Sequence, residues 1–359
     1  MQDNVENVLR PRLTPRWTGA VVIFLLILVA GVFYAKWDPY FLKLAPVSAS
    51  HTLGSSLVLG GGTHAPSVGL AAAISYFVGY FKDIWVALVV GLLVGAGVQT
   101  LLPRRWLLRL LGRKDWGSST LAVAAAVPSM MCTCCSAPIA VSMKRSHLST
   151  GAVLGYWLGN PVLNPATIVF MGFVLGWNWA VLRIAVGLVL VAGGILIGDR
   201  LGHDRLPDRV AASVTDEPAA EPEQEGPSVG LFARVLGRLA VSLLPEYIVI
   251  VGVLGAVRAW LFPAMTPALG HNLLLVVGLA VAGTLFVIPT AGEIPLVQSL
   301  MSYGLGLGGA GALMITLPAV SLPSLAMVSQ SVSRRVLLVL AVWVLAMGLV
   351  TALLAHLFL

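Results

Sequence analysis

The sequence predicts an all-α integral membrane protein of about seven to nine transmembrane segments, in two inverted repeats with discontinuous, re-entrant helical hairpins. Three observations carry that prediction. Hydrophobic residues make up 58% of the chain and charged residues only 10%, where a soluble domain has about 25% charged. Several apolar runs reach the roughly 20 residues that cross a bilayer. Two of the runs are interrupted by proline near their middles, and landmarks of the first half recur in the second. Mean hydropathy is +0.93. The net charge of +7 therefore reflects where Lys and Arg sit about a membrane, not affinity for nucleic acid.

Residues 1–16 are expected to form a cytoplasmic N-terminus. The run 17–36 follows Arg10, Arg12 and Arg16. It exceeds the about 7–15 apolar residues of a signal peptide, and no small-x-small site closes it, so it predicts an uncleaved transmembrane helix. Residues 37–83 predict an external loop and interfacial segment, with a flexible glycine-rich stretch from Leu59 to Pro66. A first membrane repeat is expected over 84–198, with spans near 84–102, 149–176 and 179–198. Residues 199–229 are polar and rich in Pro, Asp and Glu, the composition of a disordered acidic cytoplasmic linker. A second repeat follows over 230–359, with spans near 240–262, 305–330 and 336–357.

Segments 119–143 and 272–300 are the interrupted ones. Proline removes a backbone donor and breaks a helix, so Pro128, Pro138, Pro289 and Pro295 are expected at breaks, as are Pro161, Pro165, Pro318 and Pro323 elsewhere. In lipid such breaks survive only where protein or a watered cavity satisfies the backbone. Pro138, Leu148, Gly151 and Pro161 recur as Pro295, Leu305, Gly308 and Pro318 at one offset, and Gly95, Ala96 and Pro103 recur as Gly255, Ala256 and Pro263. If both interrupted segments re-enter, nearly all Lys and Arg fall on the cytoplasmic side, and the repeats become inverted. Arg183 and Arg258 then lie near outer helix ends, where they are expected to snorkel.

Chemistry concentrates at the breaks. Cys132, Cys134 and Cys135 are the only cysteines and fall within the string Met-Cys-Thr-Cys-Cys-Ser-Ala-Pro. They can pack as small hydrophobes. They can also present two or three sulfurs to one metalloid or soft ion, which is the reading their coincidence with a helix break favours. Asn160-Pro161 and Asn164-Pro165 leave amides at membrane depth, either to satisfy freed carbonyls or to line a cavity; Ser321 offers a hydroxyl at the equivalent place. Glu293 sits inside the second hairpin, as proton acceptor, charge partner or cap. The six histidines are scattered without ligand spacing, and no phosphate-binding G-x-x-x-x-G-K-[ST] occurs, so the chain carries no ATP motor.

These residues resemble the predicted-permease family of the ArsP/YraQ type, which includes the bacterial organoarsenical efflux permeases. The resemblance rests on the Cys-rich motif ending Ser136-Ala-Pro138, on Leu158 through Pro165, on Gly176-Trp177, and on Pro295 and Pro318 through Pro323. It covers residues 80–355 and implies a permease of the bacterial cytoplasmic membrane whose Cys-rich loop, with Ser136, touches the solute. Arsenical-exporting members move trivalent organoarsenicals outward, so the same role is the expectation here.

The function expected is a secondary permease, not an enzyme, for a thiophilic small solute bound at Cys132, Cys134 and Cys135. Ser136, Asn160, Asn164, Glu293 and Ser321 complete the candidate site. A soft metal ion or sulfur compound is the alternative solute; a membrane thiol-redox protein is the alternative class. No cofactor is expected. The partners expected are lipid, the solute and protons as coupling ion, with a homo-oligomer compatible and nucleic acid excluded.

Overall fold

The computed structural model describes residues 15–62, 64–202, 228–263 and 272–359. Residues 1–14 and, of the linker expected over 199–229, residues 203–227 lie outside the described residues. Among the described residues every regular element is helical, as lipid demands of a chain that must satisfy its own backbone.

The chain enters through α1 (Pro15–Val32), a π turn (Phe33–Trp37) and α2 (Asp38–Ser50). The N–H of Asp38 bonds to the Phe33 carbonyl, one residue further back than an α-helix allows. That wider turn accommodates Pro39, which has no N–H to give. The first helix therefore runs well past residue 36. Helix α3 (Leu70–Thr100) likewise begins before residue 84, because the stretch from Leu70 to Phe81 is uncharged and apolar. The loop expected over 37–83 shrinks to 51–69.

The first half continues with amphipathic α4 (Arg104–Leu111), α5 (Trp116–Ala126), a 3₁₀ turn (Val127–Ser129), α6 (Thr133–Arg145), α7 (Thr150–Val162), α8 (Pro165–Val174) and α9 (Trp177–Leu201). Asp115 caps α5 by accepting from the Ser118 N–H at 2.7 Å. That hydrogen bond holds its carboxyl below the usual range. The second half is α10 (Val229–Leu261), α11 (Leu273–Leu285), α12 (Glu293–Ser302), α13 (Leu307–Ala319), α14 (Leu322–Ser329) and α15 (Arg334–Phe358). The order matches between halves: a long helix, two half-helices meeting at a break, two more half-helices, a long helix. Among the described residues six helical stretches are long and apolar enough to cross a membrane, beginning at Trp17, Leu70, Trp177, Val229, Leu307 and Arg334. The span expected over 149–176 is instead the pair α7 and α8, separated at Leu163 and Asn164.

Each hairpin returns to the end it came from. The Ser149 N–H, just past α6, bonds to the Leu111 carbonyl just before α5, at 3.1 Å. Helices α5 and α7 run side by side in one direction, Val123 and Ala126 meeting Gly155 and Gly159. In the second half α11 and α13 do the same, Val276 lying by Gly308 and Gly283 against Thr316. The tips are built alike. Pro128 is followed two residues later by Met130 at φ +48°, and Pro289 by Ala291 at φ +66°. Left-handed backbone at non-glycine residues is disfavoured and concentrates at functional breaks.

Corresponding long helices pack antiparallel. Tyr76 of α3 meets Gly255 of α10 and Tyr80 meets Tyr247. Trp343 of α15 meets Gly193 and donates to the Leu190 carbonyl of α9, while Leu340 reaches Gly194.

Not every proline marks a break. Pro138 lies inside α6 and Pro295 in the first turn of α12. The missing N–H at 138 frees the Cys134 carbonyl without ending the helix, and at 295 it falls where helix donors are unpaired anyway. Pro161 and Pro318 are penultimate in α7 and α13, and Pro165 and Pro323 open α8 and α14, so these four do bracket breaks.

Candidate functional site

Four half-helix N-termini converge from the breaks: α6, capped by Cys132; α8, capped by Asn164; α12, opening on Glu293; and α14, capped by Ser321. Exposed N–H groups and the helix dipole make each a positive pole.

Cys132 and Cys135, one helical turn apart, bring their sulfurs to 2.9 Å, and both thiols are free and buried. Cys134 points elsewhere. Its sulfur lies 3.6 Å from the Ser321 hydroxyl of the second half, beside the Tyr80–Tyr247 hydroxyl pair. The expected three-sulfur cluster thus divides into a pair and a single thiol, because successive helical positions lie about 100° apart. Among the described residues no three His, Cys, Asp or Glu side chains are placed to hold one metal ion.

Ser136 is spent within its helix, donating to the Cys132 carbonyl at 2.9 Å. Asn160 braces the first hairpin tip. Its carbonyl accepts from the Ser129 hydroxyl and from the Met131 N–H at 3.3 Å, and its amide donates to Tyr156. Asn164 accepts from the Thr167 N–H at 3.2 Å, and its own amide nitrogen is buried without a partner. Ser321 and Ser324 form a reciprocal capping box at α14.

Glu293 and Arg183 are 1% exposed each and form an ion pair at 2.7 Å. Arg183 does not snorkel. It also donates to the Pro161 and Val162 carbonyls at 2.8 and 3.1 Å, satisfying acceptors that the end of α7 leaves unpaired. Arg183 thereby clasps the broken helix of one half to the hairpin of the other. Arg258 is equally buried, over the ring of Tyr76 and bonded to Ser75 at 3.2 Å. Sequence reasoning missed Arg183 as a site residue because a charge six residues from a helix start reads as interfacial. The signal was that Glu293 had no cation nearby in sequence.

Lys36 was missed for the same reason. It sits on the π turn, 5% exposed, and donates to the Thr290 hydroxyl at 2.9 Å. It lines a vestibule of about 390 Å³ whose other walls include Lys43, Asp38, Asp83 and Thr290. Beyond Thr290 lies a chamber of about 10 Å³ lined by Cys132, Thr133, Thr167, Pro161, Glu293 and Pro318. Residues Pro289 to Ala291 border both spaces. The hairpin tip thus stands between the vestibule and the small space that Cys132 lines.

Buried broken helices from two matching halves meeting at one polar point form the layout of a solute pathway. The profile of the predicted permeases (ArsP_1) matches residues 18–198 and 156–357. The chain belongs to this predicted permease family. The permease is 42% identical over 347 residues to the UPF0718 protein YraQ of Escherichia coli (strain K12), covering 96% of this chain and 97% of that one. It is 22% identical over 320 residues to the UPF0718 protein MJ0584 of Methanocaldococcus jannaschii, covering 69% and 85%. No solved structure matches the permease. Its many apolar helices and its family make it a multi-pass membrane protein.

Proposed function

We propose that the permease is a secondary transporter, not an enzyme, that exports a thiophilic small solute across the bacterial cytoplasmic membrane, trivalent organoarsenicals foremost. The observation that carries this reading is the Cys132–Cys135 pair, 2.9 Å between sulfurs, beside the chamber below the vestibule. Two thiols so placed can hold one soft centre. A methylarsenite would form two As–S bonds, and each would release one water made from a thiol proton and an arsenic-bound hydroxyl. Reversal by water would release the solute on the other side.

The antiparallel packing of corresponding helices supports an inverted repeat, so rocking of the halves would expose the pair alternately. The Arg183–Glu293 pair spans the two halves. Protonation of Glu293 would weaken that clasp and couple proton movement to opening. Cu(I) is the competing solute, since soft ions also accept two thiolates.

Thiol labelling tests the site. In everted vesicles, methylarsenite should protect Cys132 and Cys135 from a small maleimide by about tenfold in rate, and Cys134 by much less. Mass spectrometry of the labelled peptides reads this out. Equal labelling of all three cysteines with and without arsenical would remove the sulfur pair from the site, and protection by Cu(I) alone would transfer it to the metal ion.

A further inference from the structure

A second group in the same place is built to meet negative charge. Lys36 is buried, and its partners, the Thr290 hydroxyl and the Tyr40 ring 5.8 Å away, carry no full negative charge. Among the described residues it forms no ion pair. Asp38, Asp83 and Lys43 line the vestibule with it, and Lys36 is the cation that bonds to the hairpin tip, through Thr290. Glu293 is the carboxylate of the chamber, but its charge is already met by Arg183.

The donors around the chamber are incomplete. The Thr167 hydroxyl lines it, is 1% exposed and has no hydrogen-bond partner. Thr167 stands in the first turn of α8, below the buried and equally unpartnered amide nitrogen of Asn164. Leaving such groups unmet is costly, and an uncompensated buried charge costs more. The N-termini of α6, α8 and α12 add positive poles to the same space. A single water, the most that about 10 Å³ admits, would satisfy a hydroxyl but would not balance an ammonium.

We propose that Lys36, Thr290 and Thr167 form a subsite for an anionic group on the solute, so that a soft-centred anion is held more tightly than its neutral counterpart. Its soft atom meets Cys132 and Cys135, and its negative oxygens lie between the Lys36 ammonium and the Thr290 and Thr167 hydroxyls. This inference rests on the sulfur-pair reading above and adds the charge of the solute to it. The closed chamber has to widen on binding, and displacement of the Pro289–Ala291 tip toward the vestibule would provide the room.

The test compares two arsenicals that share a soft centre and differ in charge: neutral phenylarsenite and 4-carboxyphenylarsenite. Binding to the full-length detergent-solubilised protein is measured by titration calorimetry. Wild type should bind the carboxylate at least about tenfold more tightly, the scale of one charge-assisted hydrogen bond. Lys36→Met should erase that preference, Lys36→Arg should restore much of it, and Thr167→Val should reduce it. Thr167→Val, which removes no charge, keeps the test open if Lys36→Met fails to fold. Equal affinity for both arsenicals in wild type, or an equal loss of both in Lys36→Met or Thr167→Val, would overturn the anion subsite and leave the sulfur pair standing. Failure of the sulfur pair reads differently: Cys132→Ser would then bind both arsenicals as wild type does.

Discussion

Replacing Arg183 with Met should destabilise the permease by about 3–5 kcal/mol, the cost of leaving one member of a buried ion pair alone. Three bonds are lost at once: the pair with Glu293 and the donations to the Pro161 and Val162 carbonyls. Glu293→Gln should cost less, because Arg183 keeps both carbonyls. The double variant Arg183→Met/Glu293→Gln should be more stable than Arg183→Met alone, since no uncompensated carboxylate remains buried. Thermal unfolding in detergent, read as a double-mutant cycle, measures the coupling. A double variant that loses the sum of the single effects would show that the two charges do not depend on each other.

Gly91→Ala should reduce solute binding on the order of a hundredfold, the scale of a ~1 Å misplacement at a reacting centre. Gly91 faces the backbone of α6 at the sulfur pair. A Cβ there would overlap the Cys135 carbonyl oxygen, so α3 and α6 must separate. The atom met is backbone and cannot rotate away, and overpacking of this kind also costs about 1–3 kcal/mol in stability. Gly252→Ala is the control, because nothing lies within 4 Å of its added Cβ. Arsenical affinities of the two variants, measured side by side, check the prediction. Equal affinity in both would mean that the geometry around Cys135 is not what binds.

Much of the fold was legible because the bilayer imposes it. Apolar runs gave the long helices, and proline pairs gave the breaks at Pro161–Pro165 and Pro318–Pro323. The matching offsets that predicted two similar halves reappear as the same helix order and a left-handed residue two places after the proline of each hairpin tip. Segment ends were less legible: an uncharged stretch such as 70–81 continues a helix at no cost, and nothing in its pattern marks a boundary. The π turn was invisible, since it depends on how Pro39 is accommodated. At the site, Cys132, Cys135 and Glu293 stood out by rarity in an apolar setting. Cys134, Ser136 and Asn160 stood beside them in sequence, yet helical rotation directs Cys134 to Ser321 and Ser136 and Asn160 to backbone bracing. Arg183, Lys36 and Thr167 come to Glu293, Thr290 and the Cys132 chamber respectively from other helices, which only the packed halves reveal.

Transport in proteoliposomes tests the central claim, that a soft solute crosses by way of the Cys132–Cys135 pair. Methylarsenite or its carboxyphenyl relative is loaded on one side and followed to the other, for wild type and for Cys132→Ser, Cys134→Ser and Cys135→Ser. Wild type should move the arsenical well above protein-free liposomes. Cys132→Ser and Cys135→Ser should fall to the protein-free rate, while Cys134→Ser keeps a measurable part of it. Transport by Cys132→Ser and Cys135→Ser at the wild-type rate would contradict the account.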